Sequence, residues 1–304
     1  MIQGALLIAL AALLWATTGI VAKFLFEGSD LQAISLGFLR LVVALPFFFA
    51  LMVREQAAEY RVARAENRPG ARLSGKALLP LLALGVFQAF YQGSYLLAVD
   101  LTGAGIATLI ALCLAPVLVA IMAAPLLGEK PNLTTIIALI AAIAGTAMLV
   151  VSDMDSAGTL RLGGILMAVL AAFVYAGFTL TSRYSSTGAP VFTTAFICFL
   201  TAALVLLPVV WLIGGFDGMA SLNPGQWLMV VYIGVVPTCI GYLSFFAGMK
   251  TTPATLSSII VTLEPLFVAL LAWVFLGEIL GWIGVAGAMI LTAAVIVASR
   301  SSAR

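Results

Sequence analysis

Leu114 to Lys130 reads LAPVLVAIMAAPLLGEK, and Leu263 to Ile279 reads LEPLFVALLAWVFLGEI. Pro116 matches Pro265, Gly128 matches Gly277 and Glu129 matches Glu278, all 149 positions apart. At the same spacing upstream, Gly85 meets Gly234, Ala98 meets Ala247 and Thr102 meets Thr251. A second set lies 160 apart: Leu10-Ala11-Ala12 with Leu170-Ala171-Ala172, Trp15 with Tyr175, and Lys23 with Arg183. Self-similarity over such lengths marks a duplicated chain. It predicts two halves, residues 1–151 and 152–304.

The composition says where such a chain can live. Of 304 residues, 63% are hydrophobic and 9% are charged, whereas a soluble domain carries about 25% charge. A membrane crossing takes about 20 apolar residues, so there is room for roughly ten. Apolar runs at 4–22, 31–53, 77–98, 104–127, 132–151, 163–182, 190–213, 226–249, 254–276 and 280–299 supply them. The expected fold is an all-α integral membrane protein of ten transmembrane helices. Five crossings per half is an odd number, so the second half must enter the membrane inverted. Inverted five-helix repeats are a recurrent plan of secondary transporters, because two inverted halves present interchangeable gates around one central site. The plainer alternative is a duplication kept only for packing.

Ten hydrophobic segments in two repeats, each with a proline-containing helix that closes on Leu-Gly-Glu, resemble the EamA branch of the drug/metabolite transporter superfamily. The resemblance spans essentially the whole chain apart from Arg54 to Lys76. It implies a ten-helix carrier exporting amino acids, related metabolites or toxic compounds, and does not by itself supply a substrate.

Lys and Arg set the orientation. With a cytoplasmic N-terminus, Arg54, Arg61, Arg64, Arg68, Arg72, Lys76, Lys130, Arg183, Lys250, Arg300 and Arg304 all fall inside. Lys23 and Arg161 fall outside, and Arg40 lies within a helix. Both termini are therefore expected in the cytoplasm, in a multi-pass protein of the inner (plasma) membrane. The leading Met1-Ile2-Gln3 lacks the basic start of a signal peptide, so the first helix reads as retained. The polar stretch Arg54–Lys76 reads as a solvated loop that orients the chain, or as a surface helix touching anionic headgroups.

Absences narrow the chemistry. The chain has no histidine, which removes zinc motifs, Ser-His-Asp triads and the commonest proton shuttle. Cys113, Cys198 and Cys239 stand far apart in apolar runs and read as small core residues. No catalytic cluster, metal site, cofactor or nucleotide-binding loop is indicated. A net charge of +2 does not suggest a nucleic-acid binder. The expected partners are a small-molecule substrate and membrane lipid, and a two-repeat carrier completes its pathway as a monomer.

A transport pathway needs polar or aromatic groups away from lipid. Gln88, Tyr91, Gln92 and Tyr95 share one face of the third helix, with interhelical hydrogen bonding as the alternative role. The sixth helix repeats the pattern with Tyr175 and Phe178, and Trp15 is the repeat partner of Tyr175. Ser244 is the partner of Tyr95, and Ser258 brings a hydroxyl toward mid-membrane; such hydroxyls often satisfy their own helix carbonyls instead.

Charges deep in the bilayer cost about 2.5–3.5 kcal/mol each on insertion scales, and two are expected here, Arg40 and Glu264. Glu264 precedes Pro265, whose ring leaves the Val261 carbonyl without its usual donor. Its repeat counterpart is Ala115, so the carboxylate breaks the symmetry. One reading has Glu264 face the cavity and bind a cationic group or exchange a proton; the other pairs it structurally with Arg40. For Arg40 the readings are a structural or gating salt bridge, or binding of a substrate carboxylate. Glu129 and Glu278 read as helix terminators.

With one deep cation, phosphorylated solutes are poorly served. An aromatic or other hydrophobic amino acid fits, its ring on Trp15, Tyr91, Tyr95 or Tyr175 and its ammonium at Glu264. Efflux of cationic drugs competes with this reading. A membrane-embedded enzyme or a receptor lacks support in the residues.

Overall fold

The computed structural model describes residues 2–66, 75–102, 104–152, 162–186, 188–277 and 281–302. Among them are ten helices long and apolar enough to cross a membrane. They are α1 (Ile2–Glu27), α2 (Ala33–Ala65), α3 (Gly75–Thr102), α4 (Ala104–Leu127) and α5 (Leu133–Ser152). The second set is α6 (Leu162–Ser185), α7 (Val191–Leu212), α8 (Pro224–Met249), α9 (Ala254–Phe275) and α10 (Trp282–Ser302). The protein is all-α and multi-pass, as its composition predicts.

One expected loop is largely helix. Beyond Arg54, α2 continues without a break to Ala65, because its Arg, Glu and Ala residues are strong helix formers. Residues 67–74, with Arg68 and Arg72, lie outside the described residues, as do Arg161, Glu278 and Arg304. Glu55 in this extension accepts hydrogen bonds from Thr193 N (3.0 Å) and Thr193 Oγ1 (3.0 Å) at the start of α7. A carboxylate there satisfies donors that the first turn of a helix leaves free.

Proline and glycine punctuate the helices for identifiable reasons. Pro237 has no N–H for the Ile233 carbonyl; Thr238 Oγ1 donates to that carbonyl instead (2.8 Å), and the helix widens into a π segment over Gly234–Ile240. Pro265 likewise deprives Val261, and α9 is interrupted at Thr262, two residues before Glu264. Gly128 and Gly277, the glycines of the two Leu-Gly-Glu motifs, have φ of 70° and 71°. That left-handed conformation is strained for any side chain but free for glycine, so both helices end at the same motif residue.

The packing repeats between the halves. Helix α3 packs on α6 and α1 on α8; α4 packs on α6 and α1 on α9; α3 packs on α7 and α2 on α8. Exchanging each helix for the one five positions away maps these pairs onto each other, and maps α5–α10, α2–α7 and α4–α9 onto themselves. Individual contacts follow. A Cβ at Gly85 would fall against Cys198 O and Thr201, and one at Gly234 against Arg40 O and Val43. Gly164 abuts Thr102, and Gly4 abuts Thr251. This is the pattern expected of two halves related by a pseudo-two-fold axis.

Many large apolar side chains point outward, among them Leu79, Ile121 and Leu212. In lipid this is no penalty, but it removes the hydrophobic drive that would press helices together in water. Close backbone approach takes its place. At the α5–α10 crossing, a Cβ on Gly145 would lie 2.7 Å from Gly287 O, and one on Gly287 would lie 2.7 Å from Gly145 O.

Gly145→Ala should therefore lower the thermal unfolding midpoint of the detergent-purified protein, by an overpacking cost of about 1–3 kcal/mol. Gly93→Ala, where nothing lies within 4 Å of the added carbon, should leave it unchanged.

Candidate functional site

Aromatic side chains from α1, α3, α6 and α8 meet in the interior. The Trp15 ring lies 4.8 Å from that of Tyr242 and 5.4 Å from that of Phe245. Tyr242 stands edge-on to Phe178 at 6.2 Å, and Phe178 stacks with Tyr175 at 6.4 Å. Tyr175 meets Tyr91 at 5.2 Å, and Tyr91 stacks on Tyr95 at 5.7 Å. The result is a continuous aromatic path from Trp15 to Tyr95. Trp15, Tyr91, Tyr95 and Tyr175 are half-buried while Phe178 is fully buried: the outer rings keep accessible surface and Phe178 backs them.

Polar groups punctuate this path. Gln88 is buried and its Nε2 donates to Tyr242 Oη at 2.9 Å. Tyr95 Oη shares a 2.6 Å hydrogen bond with Thr108 Oγ1. Gln92 instead leans on α2: a Cβ at Gly37 would lie 2.6 Å from its Nε2. Ser244 and Ser258 are buried, and spend their hydroxyl protons on Ile240 O (2.9 Å) and Thr255 O (2.8 Å) of their own helices. Of the two roles the sequence offers these hydroxyls, satisfying their own helix is the one formed here.

The two deep charges face this cluster. Glu264, just past the break in α9, lies within electrostatic range of Arg40, Tyr91, Tyr95, Tyr175 and Tyr242. Its side chain is half-buried among these interior groups. Arg40 is held at the α2–α8 crossing, where Gly234 admits its backbone. The structural ion pair between them is not formed in this structure: no N···O distance of 4.0 Å or less joins the two side chains. Trp15 Nε1, Arg40 Nε and Tyr175 Oη are buried without a partner in the chain.

Tyr242 is the central residue that the sequence pattern misses. Its helix is interrupted by the π segment, so no unbroken stripe like that of α3 exposes it. Its signal is local, an aromatic residue one turn beyond Pro237.

A second cluster closes one end of the bundle. Arg183 at the end of α6 forms an ion pair with Glu129 (Nε to Oε1, 2.9 Å) and donates through Nη1 to Met249 O (2.7 Å) and Lys250 O (3.0 Å) after α8. The other oxygen of Glu129 accepts from Ala254 N, the first residue of α9, at 2.7 Å. Glu129, just past the end of its own helix, thus holds α6 and α9 in place. The ends of four helices, α4, α6, α8 and α9, are joined through two side chains. Among the described residues no group of three or more Cys, Asp or Glu is placed to hold a metal ion.

Comparison with known proteins places this arrangement. The model of the EamA-like transporter family matches residues 2–151 and again 162–300. The uncharacterized transporter YwfM of Bacillus subtilis is 32% identical over 223 residues, covering 71% of this chain and 74% of the relative. A Streptantibioticus cattleyicolor protein named "Probable terminal-alkyne amino-acid exporter" is 29% identical over 62% of this chain and 64% of its own. Pseudopaline exporter CntI of Pseudomonas aeruginosa is 26% identical over 77% and 80%. A protein crystal structure 21% identical in sequence superposes with a TM-score of 0.76 over 99% of this chain and 98% of that one, which establishes the fold.

Tyr242→Phe should destabilise the purified protein by about 1–3 kcal/mol, because it leaves the buried Gln88 amide without its acceptor. Adding Gln88→Leu should recover part of the loss, and thermal unfolding of the four proteins in the double-mutant cycle measures it.

Proposed function

The chain belongs to the EamA-like transporter family, and from that premise we propose that it exports small amphipathic metabolites, foremost aromatic and other hydrophobic amino acids, across the inner membrane by alternating access. The observation that carries this reading is the aromatic path from Trp15 to Tyr95 with the Glu264 carboxylate facing it. Rings offer stacking surface to an apolar side chain, and a carboxylate or a ring face attracts an ammonium group. The substrate-contacting residues in this reading are Trp15, Gln88, Tyr91, Tyr95, Tyr175 and Glu264, with Tyr242 added, Phe178 backing the rings, and Gln92, Ser244 and Ser258 lining the walls. A relative named as an amino-acid exporter supports the solute class.

The halves 1–151 and 152–304 rock against each other about the α5–α10 crossing. Both termini lie in the cytoplasm, which puts the Glu129–Arg183 latch on the cytoplasmic side. There it seals the pathway in the present conformation. Substrate entry from the cytoplasm requires it to open, breaking charge-assisted hydrogen bonds worth about 1.5–3 kcal/mol each. One chain completes the pathway, so the monomer is the working unit. Glu264 and the rings would also suit a lipophilic cation, which makes multidrug efflux the second reading.

Proteoliposomes test both. A labelled aromatic amino acid should move in the wild type, and a cationic dye should not compete with it; the reverse result favours drug efflux. Glu264→Gln should reduce amino-acid transport about tenfold or more, the scale of one lost charge-assisted contact. An unchanged rate with unchanged pH dependence would remove Glu264 from binding and from proton exchange.

Glu129→Gln should weaken the latch and raise labelling of a cysteine placed at Tyr91 by a membrane-impermeant thiol reagent applied from the cytoplasmic face. Unaltered labelling would show that the latch does not gate the pathway.

A further inference from the structure

We propose that Arg40 is the carboxylate-recognising pole of the central site, so that the transported molecule is a zwitterion bound with its carboxylate at the Arg40 guanidinium and its ammonium at Glu264. The inference rests on the amino-acid reading above and assigns that reading a specificity-determining residue.

Four observations converge on it. Arg40 and Glu264 are opposite charges that sense one another yet make no contact, which leaves each available to a ligand. The Arg40 Nε–H is buried with no partner, and so are the Trp15 Nε1–H and the Tyr175 hydroxyl. Buried polar groups are nearly always partnered in folded proteins; here the arginine and an indole that can only donate both border Tyr242, two donors suited to an oxyanion.

The remaining two observations come from the duplication. Where Arg40 meets Gly234 at the α2–α8 crossing, the equivalent α3–α7 crossing sets Cys198 against Gly85. Where α9 carries Glu264, α4 carries Ala115. The same packing is thus built with neutral residues in the other half, and the two charges answer no architectural need. A ligand bearing only a cation would leave Arg40 uncompensated, and one bearing only an anion would leave Glu264 so. A zwitterion neutralises both.

The test compares phenylalanine, its methyl ester and phenethylamine in proteoliposomes of the full-length protein, with ligand-induced thermal stabilisation as a second readout. Wild type should prefer phenylalanine over the two carboxylate-lacking analogues by about 100-fold or more, since a site built around a polar group rejects ligands without it. Arg40→Gln should bring that preference below about tenfold, and Arg40→Lys should restore part of it. Wild type stabilised and transporting equally with all three, or Arg40→Gln retaining full preference, overturns the assignment while leaving the amino-acid reading in place. If wild type neither moves nor is stabilised by phenylalanine, the amino-acid reading fails, and the inference with it.

Discussion

The approach of α5 to α10 at Gly145 and Gly287 is the constraint from which the rest of the bundle follows. Each glycine presents its Cα to the carbonyl of the other, at distances a single methyl group would violate. In a bilayer the outward Leu, Ile and Phe residues gain nothing by leaving lipid, so helices associate through van der Waals packing and internal hydrogen bonds. Small residues at crossings are how this chain meets that requirement. The same device recurs where Gly85 meets α7, Gly234 meets α2, Gly164 meets Thr102 and Gly4 meets Thr251.

Packing and polarity divide the work differently between the halves. The glycine crossings and the left-handed helix ends at Gly128 and Gly277 occur in both. The chemistry is not duplicated: Glu264 of the second half stands against Ala115, Arg40 of the first against Cys198, and a π segment at Pro237 where α3 has Gln88. A symmetric scaffold lets either end open at similar cost, while an asymmetric interior gives the pathway one binding orientation. The latch belongs to the scaffold as well, since Arg183 and Glu129 each have a counterpart of like charge, Lys23 and Glu278, in the other half.

Much of this was legible in the residues. The duplicated Leu-Gly-Glu motif and the apolar runs announce ten helices, and Pro265 announces the break beside Glu264. Of the stripe from Gln88 to Tyr95, Gln88, Tyr91 and Tyr95 meet the aromatic cluster while Gln92 lies against α2. What stayed hidden has physical causes. The α2 extension past Arg54 was legible only as one of two readings, because its polarity reads as loop while its propensity is helical. Ser244 and Ser258 each donate to a carbonyl one turn back, the alternative that their residue type raises and that spacing alone does not decide. Tyr242 sits in a helix whose regular period is interrupted by the π segment. The Glu129–Arg183 pair joins residues 54 positions apart, a contact set by tertiary packing; its trace in the sequence is that both charges recur in the other half.

Reciprocal motion of the two ends is the claim on which the transport account stands, and pulsed dipolar distances between spin labels measure it directly. In a cysteine-free background one label pair goes at the exposed positions Leu133 and Gly188, beside the latch, and the equivalent pair at Gly28 and Trp282. Alternating access predicts that adding a transported amino acid lengthens one distance as it shortens the other. Two distances that stay fixed, or that change in the same direction, would contradict it.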